Sequence, residues 1–359
     1  MVRMLGAVAP ECGHSLIDLD GMSIGAQSPT RSRTPWLALT RKLLHLRTLV
    51  FFGSAFPRTS LVFFQTSMNR NSISRDAAYM YRCFRAGRAF SVFFHGWNEH
   101  FAGWVSASMW RRQKIAEILS HATRIFVLAP GFKDTLSSWG VDSRKVVVET
   151  TMIDDSILAG FDLEQKIRSR RPVDGLRVLF LSRITKEKGV YQAVDAFRLH
   201  RTRFPSSSLV IAGDGEELRG VKEKVRRESI HGVRFAGFVC GAEKARLLTD
   251  SDVFLLPSYR EGLPVSLLEA MAFGCTVISR PVGGIGHFFR SPEMGYLEAG
   301  LEPMHYAGLL DKVMRNPNSW AATARFNHEF TRENTLASRV GRRILDEVTK
   351  DLDHEIVPT

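Results

Sequence analysis

Short apolar runs alternate with polar or amphipathic stretches along the second half of the chain. Five runs have the length of buried strands: Arg177–Ser182, Leu209–Ala212, Val233–Phe238, Val253–Pro257 and Thr276–Ser279. Each is followed by a stretch whose polar and apolar positions fit a helix. This alternation is typical of a parallel sheet with right-handed crossovers. It predicts a Rossmann-like α/β domain from about Val173 to Trp320.

The first half of the chain repeats this alternation less regularly. Its apolar runs lie at Thr48–Phe52, Leu61–Phe64, Phe90–Phe94, Ile125–Leu128 and Val146–Val148. Helical candidates between them lie near Ser74–Ala86, Val105–Leu119 and Phe132–Trp139. A second Rossmann-like domain is therefore predicted, and a chain of 359 residues is long enough for two domains.

The segment between the two halves is charged and ends in proline and glycine, which predicts an interdomain linker at residues 166–175. We expect an N-terminal domain at residues 1–165, with an atypical or truncated start, and a C-terminal domain at residues 176–320. Helices are expected at residues 321–359, the last over about Thr335–Asp351.

The composition argues against a membrane-spanning, secreted or zinc-binding protein. No apolar run reaches the roughly 18 residues of a membrane-spanning helix, and no signal peptide is apparent, so a cytoplasmic protein is expected. The cysteines have no metal-ligand spacing, which argues against a zinc site or a disulfide framework and predicts buried free thiols. They are Cys12, Cys83, Cys240 and Cys275.

The net charge of +12 is concentrated in the first half of the chain. Residues 1–171 have 23 Lys and Arg against 13 Asp and Glu, whereas residues 172–359 have 26 against 24. No finger spacing and no aromatic-rich RNA-binding signature accompany the excess, so nucleic acid is not expected as a partner. An anionic membrane surface fits better. The stretch 31–47 could form a basic amphipathic helix there, or equally an internal helix packed on the first sheet.

Two glutamates follow the apolar run Val253–Pro257. Glu261 falls on a loop, and Glu269 falls eight positions later within a segment of helical apolar spacing. Open α/β sheets bind ligands at the carboxyl ends of their strands. Taken alone, these acids would also fit a solvated loop and an ordinary helix surface.

Two cations follow an earlier strand in the same way. The run Val178–Leu181 leads directly to Arg183, and Lys188 with Gly189 opens the next helical segment. Both cations would also fit an ordinary surface. Two cations and a helix N-terminus at one strand end favour a site for a diphosphate.

One set of residues resembles the donor half of the retaining glycosyltransferases of the GT-B fold, the glycosyl transferases group 1 family: Arg183, Lys188, Gly213–Gly215, Glu261 and Glu269. The resemblance extends over about residues 91–343. It implies an α/β protein of GT-B architecture, with two Rossmann-like domains facing a central cleft. It also implies a C-terminal helix that crosses back to the first domain.

The resemblance assigns roles to the matching residues. Arg183 and Lys188 would bind the diphosphate of a nucleotide-sugar, with Gly213 close by. Glu269 would bind the ribose hydroxyls, and Glu261 would bind sugar hydroxyls. Carboxylates suit such diols because two oxygens can accept two hydroxyl protons.

Further positions follow from the same resemblance. The backbone amides of Gly262 and Leu263 would lie near the sugar and phosphate. His95, at a strand end, would contact the donor sugar or the reaction centre, although a hydrogen-bonded histidine at a strand end is the simpler alternative. The pair Gly283–Gly284 would form a tight turn near the same cleft.

No cofactor and no essential metal are expected. Fixed cations can stabilise a leaving diphosphate in place of a metal. Neither half offers a carboxylate pair or histidine cluster at a strand end suited to a metal, apart from the two glutamates assigned to hydroxyls. The strings Asp18–Asp20 and Asp351–Asp353 fit no strand end and are interpreted as solvated.

The resemblance implies a hexosyltransferase-type enzyme that moves a sugar from a nucleotide-sugar to a glycan or polyprenyl-diphosphate-linked acceptor, with retention of configuration. Synthesis of a cell-surface polysaccharide or glycolipid, in the cytoplasm or at the inner face of the membrane, would fit. The stretch Met1–Ser28 lacks the strand and glycine-rich loop with which the family normally begins. Two alternatives stay open: a non-catalytic nucleotide-binding assembly subunit, and a GT-B nucleotide-sugar hydrolase or epimerase.

Overall fold

The computed structural model describes residues 61–170 and 175–350. The chain divides into two compact units, of which unit 1 is Met1–Glu149 with Gly341–Thr359 and unit 2 is Thr150–Val340. Several features named above lie outside the described residues: the strand at Thr48–Phe52, the stretches 1–28 and 31–47, Cys12 and both Asp-x-Asp strings.

Unit 1 contains a four-stranded parallel sheet in the order β1-β2-β3-β4. The strands are β1 Val62–Met68, β2 Phe90–Trp97, β3 Ile125–Val127 and β4 Val146–Val148. The helices are α1 Arg70–Arg85, α2 Glu99–Ser106, α3 Met109–Ser120 and α4 Pro130–Ser138. The predicted helix Val105–Leu119 is thus two helices, because the backbone of Ser108 is extended and begins a new one.

Unit 2 contains a six-stranded parallel sheet in the order β10-β9-β8-β5-β6-β7. The strands are β5 Arg177–Leu181, β6 Ser208–Ala212, β7 Val233–Gly237, β8 Val253–Leu256, β9 Thr276–Ser279 and β10 Gly295–Leu297. The helices are α5 Leu163–Ser169, α6 Val190–Arg201, α7 Leu218–Arg227, α8 Gly241–Asp250, α9 Val265–Ala272, α10 Ile285–Phe288, α11 Pro303–Arg315 and α12 Pro317–Asn334.

The strand order of unit 2 creates one point at which the direction of winding reverses. From β5 the chain adds β6 and β7 on one side, and β8, β9 and β10 then lie on the other. The loops that follow β5 and β8 therefore leave neighbouring strands in opposite directions. Such a switch point opens a crevice at the carboxyl ends of the strands, which is where doubly wound sheets bind ligands.

The five predicted strands of this sheet are confirmed to within about one residue at each end. The sixth, β10, was missed. It has only three residues and begins at Gly295, whose backbone lies against Val277 of β9. A run so short carries no detectable period in the sequence.

The predicted linker at residues 166–175 differs from the structure at its start. Helix α5 continues to Ser169, and the division between the units falls earlier, at Thr150. Lys166 is buried, and its Nζ donates to the carbonyl oxygens of Leu248, at 3.2 Å, and Phe273, at 2.7 Å. Lys166 donates hydrogen bonds to carbonyl oxygens at two helix ends. The sequence alone does not distinguish such a lysine from a solvated one in a linker.

The C-terminal helices are divided between the two units. In α12, the Asn327 amide donates to the carbonyl oxygens of Cys275 and Met294, so this helix belongs to the core of unit 2. The last helix, α13 Ala337–Thr349, joins unit 1 from Gly341 onward. There Arg343 pairs with Glu149 at 2.8 Å. The predicted crossing is confirmed, but it involves less of the chain than residues 321–359.

Two further expectations concern cysteines and the membrane. Cys83 and Cys275 are buried free thiols as predicted, whereas Cys240 is exposed because it lies in the loop that precedes α8. Across residues 61–170 and 175–350, no helix combines the length and the apolar character that crossing a bilayer requires.

Candidate active site

The loops after β5 and β8 are held together by a close backbone contact. Gly189 has φ 71°, and a Cβ at this position would lie 2.1 Å from the carbonyl oxygen of Pro257. Only glycine fits, both for the left-handed conformation and for the space. The amide of Tyr259 also donates to the carbonyl oxygen of Glu187 at 2.8 Å. The basic segment after β5 is thereby fixed against the acidic loop after β8.

Lys188 and Glu261 form a buried ion pair at this junction. Lys188 Nζ lies 2.7 Å from Glu261 Oε2, and the two side chains are 14% and 5% exposed. Ser258 Oγ donates to the other oxygen, Oε1, at 2.7 Å. Sequence reasoning assigned the lysine to a diphosphate and the glutamate to sugar hydroxyls. The structure brings them into direct contact, so a ligand that reaches one of them also meets the other.

Arg183 lies in the same loop as Lys188, five residues earlier in the chain. It follows β5 after one intervening residue and is exposed. Within the described part of the chain, its guanidinium has neither a hydrogen-bond acceptor nor a carboxylate partner. A cation at a strand end, free of internal partners, can bind an anionic ligand without first breaking another contact.

A second ion pair in unit 2 connects two helices. Lys244 Nζ of α8 donates to Glu269 Oε1 of α9 at 2.6 Å, and the Glu269 side chain is 7% exposed. Burial raises the pKa of the Glu269 carboxyl, and Lys244 opposes that rise. The second oxygen of Glu269 has no partner among the described residues and can accept a ligand hydroxyl.

Sequence reasoning found Glu269 but not Lys244. The two residues are 25 positions apart and meet only because α8 and α9 are neighbours in the folded unit. Lys244 lies in an ordinary amphipathic helix, and no feature of that pattern distinguishes it from a solvated lysine.

The backbone around Gly262 presents unused donors. In the parts of the chain that the structure describes, the amides of Gly262 and Leu263 have no acceptor. The glycine turn at Gly283 and Gly284 supports this loop from beneath. Gly283 has φ 59° and lies against the Glu261 carbonyl, and the Gly284 amide donates to Gly262 O at 2.5 Å. Consecutive free amides form an anion-binding concavity.

Gly213 packs the end of β6 onto the loop that contains Arg183. It has φ 134°, and a Cβ would lie 1.9 Å from the Ser182 carbonyl oxygen. Its amide donates to Gly237 O at 2.6 Å. Gly213 therefore shapes the crevice, since any other residue at this position would push the β5 loop away.

His95 lies in unit 1, within the last part of β2. The pairing of β2 with β1 passes from Thr66–Phe94 to Ser67–Gly96, so His95 is the unpaired residue of a bulge. Bulges of this kind re-aim a side chain and are frequent next to active sites. Burial lowers the pKa of His95 to about 4, which keeps the imidazole neutral at pH 7.

The described residues contain no group of three or more His, Cys, Asp or Glu side chains arranged to hold a metal ion. The acids of the crevice are instead paired with lysines.

Residues 162–329 match the family described as Glycosyl transferases group 1. This segment includes all of the crevice residues described above in unit 2. The match is a similarity over 168 of the 359 residues, somewhat less than half of the chain.

Two curated relatives extend the comparison. Glycogen synthase of Mycobacterium tuberculosis is 27% identical over 264 residues, which cover 72% of this chain and 58% of the synthase. A putative colanic acid biosynthesis glycosyltransferase, WcaL of Escherichia coli, is 33% identical over 137 residues, which cover 36% of this chain and 33% of WcaL. The matches thus span from a third to somewhat over half of these relatives.

A solved structure shows the architecture. The Anabaena protein HepE, in complex with UDP-glucose, has a TM-score of 0.66 to this chain at 16% identity, covering 88% of this chain and 84% of HepE. The two parallel sheets and this neighbour establish a two-domain GT-B architecture, as the Glycosyl transferases group 1 resemblance implied.

The Lys244–Glu269 pair yields a pH-dependent prediction. An acid whose pKa is raised by folding stabilises the protein at low pH, and that contribution is lost as pH rises through the folded-state pKa. In Lys244→Met the buried carboxylate loses its cation, so its pKa rises further and the loss at alkaline pH is larger. We expect a deficit in unfolding free energy of about 1.5–3 kcal/mol at pH 8, and a smaller one at pH 5.

Urea unfolding of the wild type and the variant at both pH values measures this effect. The double variant Lys244→Met, Glu269→Gln is the matched control, because it has no buried charge and should recover most of the deficit at pH 8. A deficit of Lys244→Met that is equal at pH 5 and pH 8 would contradict the assigned role of the lysine.

Proposed function

We propose that the protein is a glycosyltransferase that moves a hexose from a nucleotide-sugar to a glycan or polyprenyl-diphosphate-linked acceptor. The observation that carries the proposal is the crevice of unit 2, where free and paired cations, paired carboxylates and free amides lie at the switch point of the sheet. These groups suit a ligand that contains both a diphosphate and pairs of neighbouring hydroxyl groups.

The diphosphate is the part that the cations and amides suit. Arg183 is exposed and has no partner among the described residues, and Lys188 follows it in the same loop after β5. When the glycosidic bond breaks, the leaving diphosphate gains negative charge. Cations fixed in place beforehand stabilise that charge more in the transition state than in the ground state.

The carboxylates suit the hydroxyl groups of the donor. Lys244 occupies one oxygen of Glu269 and holds the carboxylate in place, which leaves the other oxygen for a ribose hydroxyl. Glu261 has both oxygens engaged, by Lys188 and Ser258, yet each oxygen can accept a second hydrogen bond from a sugar hydroxyl. Its orientation is therefore fixed before the sugar arrives.

His95 is proposed to contact the sugar or the reaction centre from unit 1. A neutral imidazole can donate from one ring nitrogen and accept at the other, which suits a hydroxyl group. Retention of configuration is part of the proposal, and the anomer of the first-formed product, observed by proton NMR during the reaction, decides it.

The similar proteins indicate which donor and acceptor to assay first. HepE is described with UDP-glucose, and the relatives include a glycogen synthase and a colanic acid biosynthesis glycosyltransferase. A UDP-hexose and an acceptor of the polysaccharide or lipid-linked type are therefore the first pair to assay.

The cations of the β5 loop give a test of the proposal. Arg183→Ala removes an unpartnered exposed side chain, so the fold should be unaffected, and loss of one charge-assisted contact should slow transfer roughly 10- to 150-fold. Lys188→Ala should slow transfer at least as much. It should also lower stability, because the carboxylate of Glu261 stays buried without its cation.

Rates of transfer are compared with thermal unfolding for each variant. Lys186→Ala is the matched control, since this lysine is a neighbouring cation whose side chain is 77% exposed, and its transfer rate should be near the wild-type value. Normal transfer by Arg183→Ala and Lys188→Ala, with folded protein, would refute the diphosphate assignment.

Transfer is proposed to need no divalent metal. The fixed cations of the crevice take the role that a metal ion would have at the leaving group. Initial rates should therefore be unchanged when EDTA is added in excess to the assay. Complete loss of transfer, restored by magnesium or manganese, would contradict this part of the proposal.

A further inference from the structure

The turn between α2 and α3 in unit 1 exposes three large apolar side chains. Trp104 is 50% exposed, and Met109 and Trp110 are each 66% exposed. They lie within seven consecutive residues, at the end of one helix and the start of the next. Single exposed apolar residues are ordinary on a protein surface, whereas a cluster that includes two tryptophans marks a contact surface.

The same turn is basic. Residues 103–114 contain Arg111, Arg112 and Lys114 and no Asp or Glu. The guanidinium of Arg111 lies 3.9 Å from the centre of the Trp104 ring and donates to the Trp104 carbonyl oxygen. Arg111 thereby holds the Trp104 ring at the surface, with a cation and an indole presented side by side.

We propose that this turn, residues 103–114, docks unit 1 on an anionic lipid bilayer. Tryptophan is the side chain that the interface between water and lipid favours, because its ring is apolar and its N–H is polar. Cations near an anionic surface each add about a fivefold gain in binding. Residues 103–114 themselves carry no acid, and the nearby Glu117 carboxylate is paired with Lys114 at 2.9 Å, which leaves Arg111 and Arg112 as the cations of the turn without an acidic partner among the described residues.

The net charge of unit 1 also favours an anionic lipid bilayer as the binding partner. Unit 1 has 22 Lys and Arg against 14 Asp and Glu, an excess that draws it toward an anionic surface over a distance beyond direct contact. The docking surface does not depend on the proposed transfer reaction, and its test measures binding alone.

The test is co-sedimentation of the full chain with vesicles of phosphatidylcholine alone and with vesicles containing phosphatidylglycerol. We expect binding to the anionic vesicles only, weakened by added salt as the Debye length shortens. Trp104→Ala with Trp110→Ala should lower the partition coefficient at least about tenfold. Arg111→Gln with Lys114→Gln should lower it about fivefold for each cation removed.

Phe238→Ala is the matched control, because Phe238 is a 76% exposed aromatic residue of unit 2, and it should bind as the wild type does. Circular dichroism of every variant verifies the fold. Equal binding by the wild type and the double tryptophan variant overturns the proposal, as does failure of the wild type to bind anionic vesicles. Self-association that the tryptophan substitutions abolish, without vesicle binding, would assign the surface to a second copy of the chain instead.

Discussion

The ion pair between Lys188 and Glu261 connects the two strands at which the sheet of unit 2 reverses its direction of winding. The pair is buried and 2.7 Å long. It exists only because β5 and β8 are neighbours and because Gly189 lets the two loops touch. The free Arg183, the amides after Glu261 and the glycine turn beneath them are all positioned relative to this junction. Removing either partner would leave the other charge buried without compensation.

The crevice is organised electrostatically before any ligand is present. Each carboxylate is held by a lysine, and Glu261 is also held by a hydroxyl. Groups fixed in this way need little reorganisation when charge develops on a bound ligand, and such preorganisation is a large part of enzymatic catalysis. In the proposed function, the cation and amides that have no partner among the described residues would attract an anion, whereas the paired carboxylates would accept hydrogen bonds from hydroxyl groups. Under the proposed function, the two ion pairs and Arg183, which has no partner among the described residues, would divide the tasks of a donor site.

The sequence was most informative about where the buried strands end and which residues follow them. Apolar runs placed Arg183, Glu261 and Glu269 correctly after β5 and β8, because buried parallel strands are nearly uniform in hydrophobicity. Pairings between distant residues could not be predicted. The contact of Lys244 with Glu269 depends on the packing of two helices, and the burial of Lys166 depends on carbonyls at two helix ends. Both lysines lie in patterns that solvated lysines also follow.

The central claim is that the crevice of unit 2 binds a nucleotide-sugar. Thermal unfolding in the presence of UDP-, GDP- and ADP-sugars tests it most directly, because a ligand at 100 times its dissociation constant stabilises a protein by about 2.7 kcal/mol. We expect one class of donor to raise the unfolding temperature of the wild type. The near-isosteric variant Glu269→Gln should lose most of that rise. No stabilisation by any donor, or an undiminished rise in the variant, would contradict it.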